Sequence, residues 1–259
     1  MKNFLATLAL VYVSFFCTMS CVAKTMVKEG RETGVFREVG IESGIDVYFT
    51  QSDSYSVVVE TDKKYIDEII TEVNGEALVI SWRKSIGNVF GSRDSKVYVS
   101  APTLDKVSAS GGADFYADSL KCSVSFQLRT SGGADANIAN LTVAQNADIS
   151  ASGGADVDIS NLTVAGNTSI SAAGGADCSV RNLQTADCTL SVSGGSDLSV
   201  KVTASGTLNA TASGGADINV SGKVNNVNVS ASGGSDVNLE VLTYTNISIK
   251  KSGGSDVHQ

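Results

Sequence analysis

Segments such as Val157-Asp158-Ile159-Ser160-Asn161-Leu162-Thr163-Val164 and Asn167-Thr168-Ser169-Ile170-Ser171-Ala172 alternate apolar residues with Ser, Thr, Asn or Asp. A period of two predicts strands with one face buried. Between these segments recurs Gly-Gly-(Ala/Ser)-Asp, its Gly pairs opening at Gly111, Gly132, Gly153, Gly174, Gly194, Gly214, Gly233 and Gly253. The spacings are 21, 21, 21, 20, 20, 19 and 20 residues. A helical repeat unit holds two packed helices and needs roughly 33 residues or more, so this unit is too short for one.

Alignment on the Gly pair makes the pattern columnar. Four residues before it stand Val107, Leu128, Ile149, Ile170, Leu190, Ala210, Val229 and Ile249. Four after its first Gly stand Phe115, Ala136, Val157, Cys178, Leu198, Ile218, Val237 and Val257, and six after stand Ala117, Ile138, Ile159, Val180, Val200, Val220 and Leu239. Coils of about 20 residues stacked at the strand spacing of roughly 4.8 Å turn each column into a continuous inward row. The predicted fold is therefore all-β, a single-stranded parallel β-helix whose Ser, Thr and Asn rows face solvent. The Gly pair supplies the φ > 0 conformation of a tight corner. The Asp that follows is expected to bond N–H groups of its own turn. The one proline, Pro102, stands where the regular array begins, as expected of a residue that removes a ladder donor.

The chain before the array divides in two. Residues 1–21 read as an export signal: Lys2 gives a positive start, Phe4 to Phe16 is almost wholly apolar, and small residues follow. Thr18-Met19-Ser20-Cys21 looks like a lipobox with Cys21 as the lipidated residue, although Thr18 replaces the usual Leu. Ordinary cleavage after Ala23 is the alternative. Residues 22–101 are expected to form an irregular β part that caps the stack, and 102–259 the regular repeats. Strands are expected near 36–41, 46–49, 55–60, 77–82 and 96–100. Tyr65, Ile66, Ile69 and Ile70 stand at helical spacing, so a short helix is expected over Lys63 to Val73, ended by Asn74-Gly75. Ser43-Gly44-Ile45-Asp46 is a degenerate corner motif, which places the start of the array there.

Without Lys2 the chain has 18 basic and 27 acidic side chains, a net charge of −9. Such a surface repels nucleic-acid phosphates. It also offers nothing to an anionic membrane, so membrane attachment would come from the lipid alone. Of the cysteines beyond the leader, Cys178 and Cys188 fall in apolar columns and, with Cys122, read as small buried hydrophobes. A Cys178–Cys188 disulfide is the alternative.

Catalytic chemistry finds little material. The only histidine is His258, one residue from the last, and reads as an exposed tail residue. No imidazole is thus positioned for a nucleophilic triad or a zinc site. The array instead aligns Asp114, Asp135, Asp156, Asp177, Asp197, Asp217, Asp236 and Asp256 into one corner row. Carboxylates at that spacing approach the separation retaining glycosidases use, but an active site is one irregular cluster and this motif recurs on every coil. Calcium is a second alternative, with one Asp per coil against six to eight oxygens wanted. The structural reading, a corner Asp bonded to its turn with no metal and no cofactor, is the expectation. Aromatics are nearly absent after Phe126, so the polar rows are expected to present a long hydrogen-bonding surface rather than a sugar-stacking groove.

Ser43-Gly44-Ile45-Asp46-Val47, Val73-Asn74-Gly75-Glu76-Ala77-Leu78-Val79-Ile80 and the recurrent Ser-Gly-Gly-(Ala/Ser)-Asp together resemble the auto-transporter adhesin family with a head GIN domain, common in Bacteroidetes. The resemblance covers roughly residues 35 to 257. It implies an outer-membrane, cell-surface, periplasmic or secreted β-helical protein and brings no catalytic residues. The expected function is an adhesion or interaction module with an extended glycan or protein partner. A carbohydrate-active β-helix enzyme and a calcium-binding structural envelope protein are the alternatives. Gln259 lies six residues past Gly253, so the last coil is expected to leave an open edge. Either that edge pairs with a second copy or Lys250 and Lys251 block it.

Overall fold

A computed structural model describes residues 24–83 and 94–259. The leader, Cys21 included, lies outside the described residues. The chain is a single-stranded parallel β-helix, and one coil shows how it is built. Strand Ala147–Gly153 enters a corner at its terminal glycine, and strand Asp156–Val164 leaves it. The first pairs in parallel with Phe126–Ser131 below and Thr168–Gly174 above. The second pairs likewise with Ala136–Val143 and Asp177–Gln184. In the Gly-Gly corners the first glycine, Gly111, Gly132, Gly153, Gly174, Gly194, Gly214, Gly233 and Gly253, has φ between 67° and 89°, where a Cβ is strained. In the degenerate corner Ser43 takes up the same region at φ 63°.

The inward rows form as the columns predict. Leu78, Val39, Val107, Leu128, Ile149, Ile170, Leu190, Ala210, Val229 and Ile249 are consecutive ladder partners. All are buried except Ile249, which is half-buried on the last coil. Within Asp156–Val164 the inward phase shifts once: Val157 and Ile159 point in, Ser160 and Asn161 both point out, then Leu162 and Val164 point in. Two successive outward residues bend the strand and give the coil its third side.

At the other end, the hairpin Ile69–Asn74 with Ala77–Trp82 lies beside strand Glu38–Glu42. Met26–Arg31, Ser56–Asp62 and Lys96–Ala101 pair antiparallel and extend the second face. The helical expectation over Lys63 to Val73 is met only in part. A short 3-10 helix spans Lys63–Glu68, with the Asp62 side chain accepting from Lys64 N–H. Ile69–Asn74 is a strand instead. Its β-branched Ile69, Ile70, Thr71 and Val73 suit a pleated surface. Gly75, at φ 67°, occupies the position that a two-residue hairpin turn reserves for glycine. Asn74-Gly75 thus closes a hairpin rather than ending a helix.

Candidate interaction surface

Parallel register with one Asp per coil forces the carboxylates into line. Asp156, Asp177, Asp197, Asp217, Asp236 and Asp256 are ladder partners in succession. Asp135, Asp114 and Asp46 continue the row, since the residues after them, Ala136, Phe115 and Val47, are partners in turn. Lys96 pairs with Asp46 and closes this end. The residue before each Asp points inward and is fully buried, as Ile45, Ala113, Ala134, Ala155, Ala176, Ser196, Ala216 and Ser235 show. That geometry explains why the motif allows only Ala or Ser there once the coils become regular.

The carboxylates do not bond their own turns as expected. Asp114 Oδ1 accepts the main-chain N–H of Asp135 at 3.4 Å, and Asp135 Oδ1 accepts that of Asp156 at 3.2 Å. From the next coil the same N–H turns to a carbonyl: Asp177 donates to Ala155 O, Asp197 to Ala176 O and Asp217 to Ser196 O. The change follows the second glycine of the corner. Gly112 and Gly133 have positive φ, and the corresponding glycines of later corners do not. The later carboxylates, Asp156 to Asp236, therefore face solvent in a row without the N–H that anchors the first two. Burial raises the Asp197 pKa above the usual carboxylate value, and the charges of Asp177 and Asp217 add to it. Burial also raises Asp135, against the opposing hydrogen bond from Asp156 N–H. At Asp46 burial and the Asp114 charge outweigh Lys96.

Two residues beyond the Asp runs a second outward row: Tyr98, Tyr48, Tyr116, Asn137, Asp158, Ser179, Ser199, Asn219, Asn238 and His258. Its first three members stack. Tyr48 lies 5.5 Å from Tyr98 and 4.9 Å from Tyr116 between ring centroids. The Tyr98 hydroxyl donates to Glu60 at 2.7 Å and the Tyr116 hydroxyl to Asp114 at 3.1 Å, while Lys28 covers the outer Tyr98 ring. Sequence reasoning missed this aromatic platform. The signal was present: Tyr48 and Tyr116 stand at the same offset from Asp46 and Asp114. His258 ends the row as an exposed strand residue, not as a tail.

An open groove of about 350 Å³ runs between the two rows, walled by Asp156, Asp177, Asp197 and Asp217 on one side and Asp158, Ser179, Ser199 and Asn219 on the other. At the strand bend Asn182 donates to Asn161 Oδ1 at 3.1 Å and Asn161 to Asn140 Oδ1 at 3.0 Å, tying three coils together. Cys122, Cys178 and Cys188 are free and buried, and burial pushes the Cys188 thiol up to about 12. No Cys178–Cys188 bond forms. Among the described residues no group of three or more His, Cys, Asp or Glu is placed to hold a metal ion, and no helix is long and apolar enough to cross a membrane.

Solved structures share this fold. A putative adhesin from Parabacteroides merdae has TM-score 0.80 at 15% identity, with 90% of this chain and 95% of that one covered. A putative lipid binding protein from Parabacteroides distasonis has TM-score 0.77 at 15% identity, covering 90% and 96%. A putative adhesin from Bacteroides fragilis has TM-score 0.67 at 18% identity, covering 89% and 98%. At such identities the likeness is one of fold. No curated protein matches the chain. The model of the family described as "Putative auto-transporter adhesin, head GIN domain" matches residues 35–220 and 204–258. With nearly the whole described solenoid inside those bounds, the chain belongs to that family.

Proposed function

We propose that this protein is an exported, non-enzymatic adhesion or interaction module of the bacterial envelope, lipid-anchored through Cys21. The observation that carries the reading is the pair of outward rows, one acidic and one polar, held in register along the solenoid. A parallel ladder fixes side chains at a constant repeat, which suits an extended glycan or protein partner bearing its own repeat. Family membership supports adhesion, and the names of the similar structures, adhesin and lipid binding protein, support a binding rather than a catalytic role.

A panel of extended glycans and surface proteins, probed with the folded chain and with an Asp177→Asn/Asp197→Asn variant, tests the reading. Binding by the first that falls at least severalfold in the second is expected. Turnover of any glycan, or equal binding by both proteins, would overturn it. For the anchor, Cys21→Ala should abolish incorporation of a labelled fatty acid and release the protein from membranes. Unchanged labelling would place the cleavage elsewhere.

A further inference from the structure

One inward row breaks its own rule on the last coil. Ile41, Ala109, Thr130, Ala151, Ala172, Val192, Ala212 and Ala231 are successive ladder partners, and all are buried. The next member, paired with Ala231, is Lys251. Its side chain is 43% exposed, and its Nζ lies 3.2 Å from Asp256 Oδ1 across the corner. The corner itself is fixed, because the buried Ser255 hydroxyl donates to Ala231 O at 3.1 Å or Ser252 O at 3.0 Å. Lys250 is different. Its row is outward and already holds Arg129, Ser150, Ser171, Ser191, Thr211 and Ser230, so a charge there breaks nothing.

We propose that Lys251, held by Asp256, closes the C-terminal edge of the stack against a second copy of this chain. Among the described residues, strand Asn246–Lys251 pairs on one side only, with strand Asp217–Gly233. Its other side offers unpaired N–H and C=O groups, and half-buried Ile247 and Ile249 lie beneath. That edge is self-complementary. An antiparallel pair centred on Ser248 sets Ile247 against Ile249 of the second copy and reverses the same match on the other side. Such pairing would set both Lys251 side chains and their Asp256 partners beside the joined apolar rows, where stripping water from an ion pair is costly. Inward-pointing charges are a known means of blocking edge-to-edge association. The apolar row supplies the attraction, and Lys251 cancels it.

Sedimentation velocity from micromolar to near-millimolar protein tests this. The wild type, Lys250→Ser and Lys251→Glu are expected to stay monomeric, the last because it keeps a charge in the row. Lys251→Ala, which restores the residue of the coil below, should shift toward twice the monomer mass as concentration rises, with unchanged circular dichroism. Lys251→Val, which copies Val192 of the same row, gives a second variant with the same expectation should the first fold poorly. A monomeric Lys251→Ala and Lys251→Val pair would overturn the proposal. So would self-association of the wild type, Lys250→Ser or Lys251→Glu.

Discussion

Asp135 holds the main-chain N–H of Asp156 through its Oδ1 at 3.2 Å, a bond from one coil to the next. Among the described residues nothing equivalent anchors Asp197, whose neighbours in the row are Asp177 and Asp217. One motif therefore serves two ends along the same corner. It pins the early coils and presents bare charge on the later ones.

The charge has a pH signature. The Asp197 carboxyl is raised in the folded state, so the protein carries a penalty above that raised value. The penalty is relieved as pH falls through the folded pKa toward the ordinary carboxylate range, because there the folded state takes up the proton first. Glu60, lowered chiefly by the Tyr98 hydroxyl, works in the opposite sense, and its contribution is lost only below the ordinary range. Asp197→Asn should therefore raise the melting temperature at pH 7 and low salt and flatten the gain on acidification. The effect should be a few tenths of a kcal/mol, the scale of water-screened surface charges. Added NaCl should stabilise the wild type more than the variant. A variant less stable than wild type at pH 7 would show that Asp197 serves the fold.

If the row binds no metal in its folded function, EDTA leaves the melting temperature unchanged, since no ligand is linked to folding. A rise of many degrees in millimolar Ca²⁺, lost in Asp156→Asn/Asp177→Asn, would establish a calcium site instead.

Ile170 is fully buried between its ladder partners Ile149 and Leu190. Ile170→Ala should cost about 2–5 kcal/mol by denaturant titration. Ile170→Asp should cost at least as much, because the charge has no partner in that row. A loss under about 1 kcal/mol for the Asp variant would mean the side chain can escape the core.

The inward rows were legible because a parallel stack repeats one environment every coil. Val107 to Ile249 therefore reads as one column before any coordinate is known. What failed lacked that repetition. Ile66, Ile69 and Ile70 satisfy helical spacing, yet Ile69 and Ile70 extend because Ala77–Trp82 offers a pairing edge, a tertiary gain that spacing does not encode. The two terminal lysines look alike in sequence. Only register shows that Lys251 stands in an inward row and Lys250 in an outward one. The Asp hydrogen bonds were misjudged because an Asx turn is local, whereas Asp114 and Asp135 reach the following coil. The tyrosine stack was missed because Tyr98 belongs to a strand without the Gly-Gly corner.

Among the described residues Gly222 is the most constrained glycine. At φ 106° its Cβ would stand 1.9 Å from Val202 O and 2.9 Å from Val202 C, both main-chain atoms that cannot swing aside. The site lies where the coil shortens, next to a register shift between Val202 and Ser205. Gly222→Ala should cost roughly 3 kcal/mol or more, from strain and steric overlap together. Gly34→Ala is the control: nothing lies within 4 Å of its Cβ, and loss of unfolded-state freedom should leave stability equal or slightly higher. Equal melting temperatures for the two variants would mean that the coil can absorb the clash by rearranging.

Tyr48 is the hinge of the aromatic stack, because it alone touches both Tyr98 and Tyr116. Later coils place Ser179 and Ser199 in the same row, so a serine there is compatible with the strand. Tyr48→Ser therefore removes two ring pairs without disturbing the backbone ladder. Each such pair contributes about 0.5–1.5 kcal/mol, which sets the expected loss at about 1–3 kcal/mol. The tyrosine signal in near-UV circular dichroism should weaken while the far-UV strand signal stays. Tyr98→Ser should cost less in stacking, since it removes one ring pair, but it also frees Glu60 from the hydroxyl that lowers its pKa. The two variants thus separate by pH: Tyr98→Ser should shift the acid limb of the stability profile toward higher pH, and Tyr48→Ser should not. An identical shift in both would mean that the stack, rather than the Tyr98 hydroxyl, sets the Glu60 titration.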